Sequence, residues 1–354
     1  MNLLNYLDLD PYIAKELKEK FFFKLIKSLC IYHYKNSSNY KKLMNLQSVN
    51  FDKIKLIEQL PYLTTNIFKE IDLLSISKKN IFKILRSSGT TDNKTSKIFL
   101  DKKNSNLQVK ILSKIIKSFL GKVRLPMIIL DRKIDGINRK EFNAKIAAYN
   151  GFSIFGKEYF FLLNANNQID YEQLNEFLKK NNSKPFFIFG FTSNAYKCLI
   201  KDLNIKKINY PHFSSAYLIH GGGWKKMEKY KINNLKFNSI IKKKLKIKKI
   251  INYYGLIEQT GSIFLECEIC SNFICSAFSD VLIRDYDLNI QEEGKKGFIQ
   301  IFSLLPISYP GHIILTEDIG AIVKNNKCKC SKFGKVFKIF GRVEKSELRG
   351  CSDV

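Results

Sequence analysis

The chain has 354 residues, 45% hydrophobic and 13% aromatic, which suits a large buried core and excludes a disordered polymer. Its formal net charge is +28, but the lysines are spread along the whole length and only 242–249 forms a dense basic run. Drifted composition therefore explains the charge better than a nucleic-acid surface, and no nucleic-acid partner is expected. No run approaches the roughly 18 apolar residues of a membrane span, and the chain does not open with a basic segment and an apolar core, so a cytoplasmic protein without a membrane span is expected.

The first element reads as a helix. Asp10-Pro11 offers a cap and a first-turn proline, and Ile13, Leu17, Phe21, Leu25 and Leu29 then recur every four residues on one face. A short turn-and-helix pattern surrounds Leu60-Pro61. From about residue 80, apolar runs alternate with lysine-rich helical stretches. Residues 127–130, 159–163, 185–189, 216–219 and 250–253 read as strands, several apolar on both faces and most followed by Gly, Asn or Asp. That pattern predicts buried parallel strands of an α/β fold with functional loops at their C-terminal ends. From about residue 261, short strands at 263–266, 280–284, 298–302 and 312–315 alternate with turns such as Glu293-Gly294 and Pro310-Gly311, which predicts a mostly antiparallel subdomain.

Among local motifs, the strongest is Ser87-Ser88-Gly89-Thr90-Thr91 with Lys94 and Lys97 downstream. Small hydroxyl residues around a glycine let backbone N–H groups and hydroxyls approach phosphate oxygens, and a following lysine supplies charge to a leaving pyrophosphate. The Gly-Lys-Ser/Thr ending of a Walker loop is absent. Alone, the segment is equally readable as a polar surface turn. Tyr254-Gly255-Leu256-Ile257-Glu258 follows an apolar strand, Thr316-Glu317-Asp318 follows another, and Gly341-Arg342-Val343-Glu344 comes near the end.

Of eight cysteines, Cys30 and Cys198 fall in apolar-periodic segments and read as core. Cys267, Cys270, Cys275, Cys328 and Cys330 cluster late, and two groups from separate strands could supply a tetrahedral thiolate zinc site. The expected set is Cys328, Cys330 and Cys275 with either Cys267 or Cys270; reduced cysteines in turns are the alternative. Cys351 lies between Gly350, which frees the tail, and Ser352, with Arg349 near enough to favour a thiolate. It reads either as a nucleophile or as a free terminal thiol.

The ordered set of a Ser-Ser-Gly-Thr-Thr loop, a Tyr-Gly-x-x-Glu segment, a Thr-x-Asp segment and a Gly-Arg-x-(Asp/Glu) segment resembles the adenylate-forming superfamily of acid ligases. A closer resemblance is to the acyl-protein synthetases of the bacterial luminescence system. It is carried also by Leu60-Pro61, His220-Gly221-Gly222-Gly223-Trp224, Ser308-Tyr309-Pro310-Gly311-His312 and Arg349-Gly350-Cys351.

The resemblance implies ATP and Mg²⁺ as cofactors and an α/β large domain of parallel-sheet subdomains plus an antiparallel β subdomain. It implies that Ser87, Ser88, Gly89, Thr90, Thr91 and Lys97 hold the phosphates, and that Gly221, Gly222 and Gly223 approach the adenine. Tyr254 and Gly255 would border the nucleotide, Glu258 would help hold Mg²⁺, Asp318 would bind the ribose hydroxyls, and Arg342 would lie near the ribose or α-phosphate. Cys351 becomes the acyl acceptor. The expected organisation is 1–80 as an N-terminal helical segment, 81–260 as the nucleotide-binding core, 261–340 as the β-rich subdomain with the candidate zinc site, and 341–354 as hinge and tail. The small C-terminal domain of full-length ligases would be essentially absent, which leaves Lys97 or Lys345 to take the part of its catalytic lysine.

The implied reaction converts a carboxylic acid, by default a fatty acid, to acyl-AMP, then to a thioester on Cys351, and then passes the acyl group to a partner such as an acyl reductase or carrier protein. Transfer to coenzyme A is the enzymatic alternative. A basic nucleic-acid-binding zinc module is the non-enzymatic one, and it leaves the ordered nucleotide motifs unexplained.

Overall fold

The computed structural model of the chain describes residues 1–13, 15–87, 95–121, 124–133, 141–182, 184–209, 213–324, 330 and 332–343. Its strands are β1 (Leu63–Thr64), β2 (Lys83–Arg86), β3 (Lys97–Leu100), β4 (Leu125–Arg132), β5 (Glu141–Asn143), β6 (Gly156–Leu163), β7 (Phe186–Phe191) and β8 (Ala216–Gly221). The later ones are β9 (Lys249–Tyr254), β10 (Phe264–Glu266), β11 (Phe273–Ile274), β12 (Ser279–Arg284), β13 (Gly297–Ser303), β14 (Ile313–Ile322) and β15 (Val336–Arg342).

One twelve-stranded sheet runs in the order β12-β13-β14-β15-β11-β10-β9-β8-β7-β4-β6, with β1 beside β14. Strands β6, β4, β7, β8 and β9 are parallel, and the pairings from β9 through β10 and onward are antiparallel. The parallel strands predicted from their apolar runs are all present. Every residue of β7 is buried, as a central strand covered on both faces requires. The antiparallel strands continue directly from β9, so one sheet path crosses from the segment 81–260 into 261–340.

A separate three-stranded sheet, β3-β2-β5, carries the hydroxyl-rich loop between β2 and β3. Helix Lys102–Leu120 leaves this sheet. Asp101 caps it by accepting from the Asn104 backbone N–H, and Gly121 ends it at φ +86°. Its apolar face, Ile111, Leu112, Ile115 and Ile116, enters the core beside Phe187, Phe189 and Tyr253. Each such side chain removed from water contributes about 1.5–3 kcal/mol.

The first long helix differs from expectation. It runs Lys15–Asn36 and buries Phe22, Leu25, Ile26, Leu29, Cys30 and His33, a stripe rotated from the predicted one. Asp10 instead accepts from the Tyr12 N–H at 2.8 Å, and the Pro11 carbonyl accepts from Ala277 N–H. These bonds make a turn where the proline suggested a helix start.

Candidate active site

Strand β14 is the longest in the sheet, and Asp318 lies within it, in register with Arg342 on β15. Asp318 is 7% exposed. Its Oδ2 accepts from the Tyr254 hydroxyl at 2.6 Å and its Oδ1 from Arg342 Nε at 3.2 Å. Tyr254 is the last residue of β9, so strands from the parallel and antiparallel parts meet at this carboxylate. Burial, and then the charge of Asp318, holds the Tyr254 hydroxyl well above its ordinary pKa, so it remains a donor. The Thr316 hydroxyl accepts from the Asp318 N–H and donates to the Ile299 carbonyl, which satisfies a polar pair inside the sheet. Each carboxylate oxygen keeps a second lone pair for a hydroxyl.

Glu258 sits in the short helix Ile257–Gln259 just after β9 and is 5% exposed. Burial raises its pKa, opposed by a hydrogen bond from the Ser96 side chain and more weakly by the charges of Arg342 and Lys69. The same burial would favour a cation at this carboxylate. Tyr309 donates its hydroxyl to the Glu258 carbonyl at 2.9 Å and fixes the turn.

Ser96 belongs to the base of the β2–β3 hairpin. Ser96 N–H donates to Ser87 Oγ at 2.8 Å, and Ser87 N–H donates to the Ser96 carbonyl at 3.1 Å. The mouth of the hydroxyl-rich loop is thus closed next to Glu258. Ser88, Gly89, Thr90 and Thr91 lie outside the described residues, as do Lys345 and Cys351. Lys97 starts β3, half exposed, with Nζ 3.6 Å from Asp72 Oδ1.

The glycine triplet ends β8. A Cβ on Gly221 would lie 2.5 Å from the Tyr253 ring and carbonyl, and Gly222 has φ +76° with Phe191 behind it. Only glycine fits either position. Gly223 opens on free space. His220 before them is fully buried, with Nδ1 3.1 Å from Thr192 Oγ1 and its pKa pushed down to about 3 by burial. It is a neutral structural histidine. Gly255 packs against Ile263 beside Tyr254.

The cysteines divide. Cys267, Cys270 and Cys330 gather in one small cluster with Tyr12, Ile274 and Val336. Cys275 turns into a larger core with Phe264, Phe273 and Phe337, and burial pushes its thiol up to about 12. Cys328 lies outside the described residues, and among the described residues no group of three or more His, Cys, Asp or Glu side chains is placed to hold a metal. Cys275 thus packs with the core aromatics, and Tyr12 lies near it as well as near Cys330 and Cys267.

The motifs did not reveal that Ser96 reaches Glu258, that Tyr254 bonds Asp318 directly, or that Asp72 faces Lys97. Each contact joins residues far apart in sequence, and no spacing rule announces it.

The glycine turn after β8, the buried Glu258 after β9 and the Asp318 carboxylate bonded to Tyr254 at the end of β9 gather in one region of the large sheet, whose fold is that of the adenylate-forming ligases. The chain has this fold in common with 2-hydroxyisobutyryl-CoA ligase. The TM-score is 0.75 against its thioesterification state at 13% identity, covering 96% of this chain and 72% of that one. Against the open conformation the TM-score is 0.73 at 12% identity, with 95% and 72% covered.

The chain belongs to the acyl-protein synthetase (LuxE) family, whose model matches residues 5–354. It is 22% identical over 351 residues to the long-chain-fatty-acid–luciferin-component ligase of Aliivibrio fischeri, covering 96% of this chain and 87% of that protein. It is accordingly an ATP-dependent ligase that activates a carboxylic acid through its acyl-adenylate. No helix among the described residues is long and apolar enough to cross a membrane.

Proposed function

We propose that the chain activates a long-chain fatty acid and loads it onto its own Cys351. The observation that carries the site assignment is the buried Asp318, held by Tyr254 and Arg342 next to the glycine triplet strand system. In this reading Asp318 accepts the ribose hydroxyls and Gly221 to Gly223 lie against the adenine. The loop from Ser87 to Thr91, with Lys97, holds the phosphates.

The acid's carboxylate oxygen attacks the α-phosphorus. The bond from that phosphorus to the bridging oxygen breaks, and pyrophosphate leaves with the electron pair. The Cys351 thiolate then attacks the acyl carbonyl carbon, the bond to the AMP oxygen breaks, and AMP leaves. Glu258, buried and hydrogen-bonded by Ser96, fits one carboxylate ligand of Mg²⁺, with phosphate oxygens and water as the rest. Bound Mg²⁺ would neutralise charge on the phosphates. Arg342, paired to Asp318, keeps its guanidinium at the nucleotide. The acyl thioester would then pass to a partner protein such as an acyl reductase.

The test is ATP–pyrophosphate exchange across a library of carboxylic acids, long-chain fatty acids included, with labelling of the protein by radioactive acid plus ATP. Cys351→Ser should abolish the label and leave exchange intact. Label persisting in that variant would remove Cys351 from the pathway, and acid-dependent acyl-CoA formation in its place would make coenzyme A the acceptor.

A further inference from the structure

In a chain with 60 lysines and arginines, Lys145 is the one lysine buried among the described residues. Its Nζ lies 2.8 Å from Asp131 Oδ2, with the two side chains 10% and 6% exposed. Asp131, near the C-terminal end of β4, also accepts from the Tyr149 hydroxyl, from Asn194 Nδ2 at 3.1 Å and from the Arg132 N–H at 2.8 Å. Asn194 donates as well to the Leu130 carbonyl at 3.0 Å. The carboxylate is thus fully satisfied, at a place where apolar side chains would serve stability as well. No step of the reaction above uses this cluster.

Its position gives it a use. Lys145 and Tyr149 lie on helix Ala144–Ser153, which follows β5 directly and is capped by Asn143. On β5, Asn143 is in register with Arg86, the residue before Ser87, so this helix is attached to the strand that enters the phosphate loop. On the other side, the Tyr149 ring lies 5.9 Å from Phe191, and Phe191 lies 3.1 Å from where a Cβ on Gly222 would be. Asn194 belongs to the short helix that follows β7. One carboxylate therefore connects, directly on one side and through the Tyr149 and Phe191 rings on the other, to the elements behind both ends of the proposed nucleotide site.

We infer that Asp131, with Lys145 and Tyr149, is a positioning group that sets the phosphate-loop hairpin relative to the glycine triplet, so that one ATP can engage both. The inference rests on the reading of those two segments as the nucleotide site. Loss of the Asp131 charge removes the close carboxylate from a buried ammonium, and a shift of the helix that carries it moves β5 and its neighbour β2. The β3 side of the hairpin is held independently, by Asp101 N–H on Ser308 Oγ at 3.2 Å and by Asn104 on residues 305–308. The change should therefore shift β2 relative to β3 without unfolding the small sheet.

The test is calorimetric titration of the full chain with ATP and Mg²⁺, beside its melting temperature. Asp131→Asn and Lys145→Met should each weaken ATP binding about tenfold or more, and Lys145→Arg should return it to within about threefold of the parent. Glu158→Gln, which removes an exposed partner of Lys180, should leave it unchanged. A pair with a purely structural role would lower the melting temperature while the folded protein kept its affinity, so parent affinity in folded Asp131→Asn overturns the inference. Should the charge variants fail to fold, Tyr149→Phe decides: about threefold weaker binding is expected, and unchanged binding overturns it. A parent chain that binds no ATP overturns the nucleotide reading itself, a result distinct from parent-like variants.

Discussion

The proposed ribose end and the proposed phosphate end of the site are built differently. At the ribose end, Tyr254, Asp318 and Arg342 stand on β9, β14 and β15 of one sheet, and Asp318 faces Arg342 across the backbone ladder. Their geometry is fixed by main-chain pairing before any side chain acts. At the proposed phosphate end, strands β2 and β3 that flank the hydroxyl-rich segment belong to the separate β3-β2-β5 sheet, and side-chain contacts hold that sheet against the main one: Ser96 on Glu258, Asp101 N–H on Ser308, and Lys145 on Asp131. One end is a preformed receptor. The other is a part whose position a few substitutions can change separately, as the proposed acceptance of phosphates and release of pyrophosphate would need.

The largest effect tests the preformed end. Asp318→Ala removes the proposed ribose acceptor and the shared carboxylate of the Arg342 guanidinium and the Tyr254 hydroxyl. Charge-assisted bonds of this kind are worth about 1.5–3 kcal/mol each, so acid-dependent pyrophosphate exchange should fall about 100-fold or more. Exchange within about fivefold of the parent would mean that the ribose is bound elsewhere. Tyr254→Phe is a milder probe of the same end. It keeps the ring between Phe264 and Phe273 and removes one donor, so a loss of about three- to tenfold is expected, mainly in the KM for ATP.

The same contrast governs what could be read from residues alone. The parallel strands were legible from their apolar runs, several of them apolar on both faces as in β7, a signal that needs no knowledge of neighbours. Strand β14 was legible only at its start. The pattern ends near Leu315, yet the strand continues through Ile322, because Thr316 satisfies its hydroxyl on the Ile299 carbonyl and Asp318 satisfies its carboxylate on Tyr254 and Arg342. Polar residues inside a strand look like a turn until their partners are known. For the same reason motif order pointed to Asp318 and Arg342 individually while their direct pairing stayed hidden. The Asp131 cluster carried still less signal. An aspartate after an apolar strand was visible, but Lys145 and Tyr149 are ordinary helix residues, and only the fold brings them to it.

The smallest expected effect tests the phosphate end. Lys97 and Asp72 form an ion pair at 3.6 Å with side chains 40% and 48% exposed. Water and salt screen such a pair, and its net worth is about 0–1 kcal/mol. Asp72→Asn should therefore leave the melting temperature essentially unchanged and alter pyrophosphate exchange by no more than about twofold. Any change should be a slight gain, since Lys97 no longer divides its charge between Asp72 and the departing pyrophosphate. A loss as large as that of Tyr254→Phe would show that Asp72 holds Lys97 in its working position. The phosphate end would then be as preorganised as the ribose end, and the contrast between the two would fail.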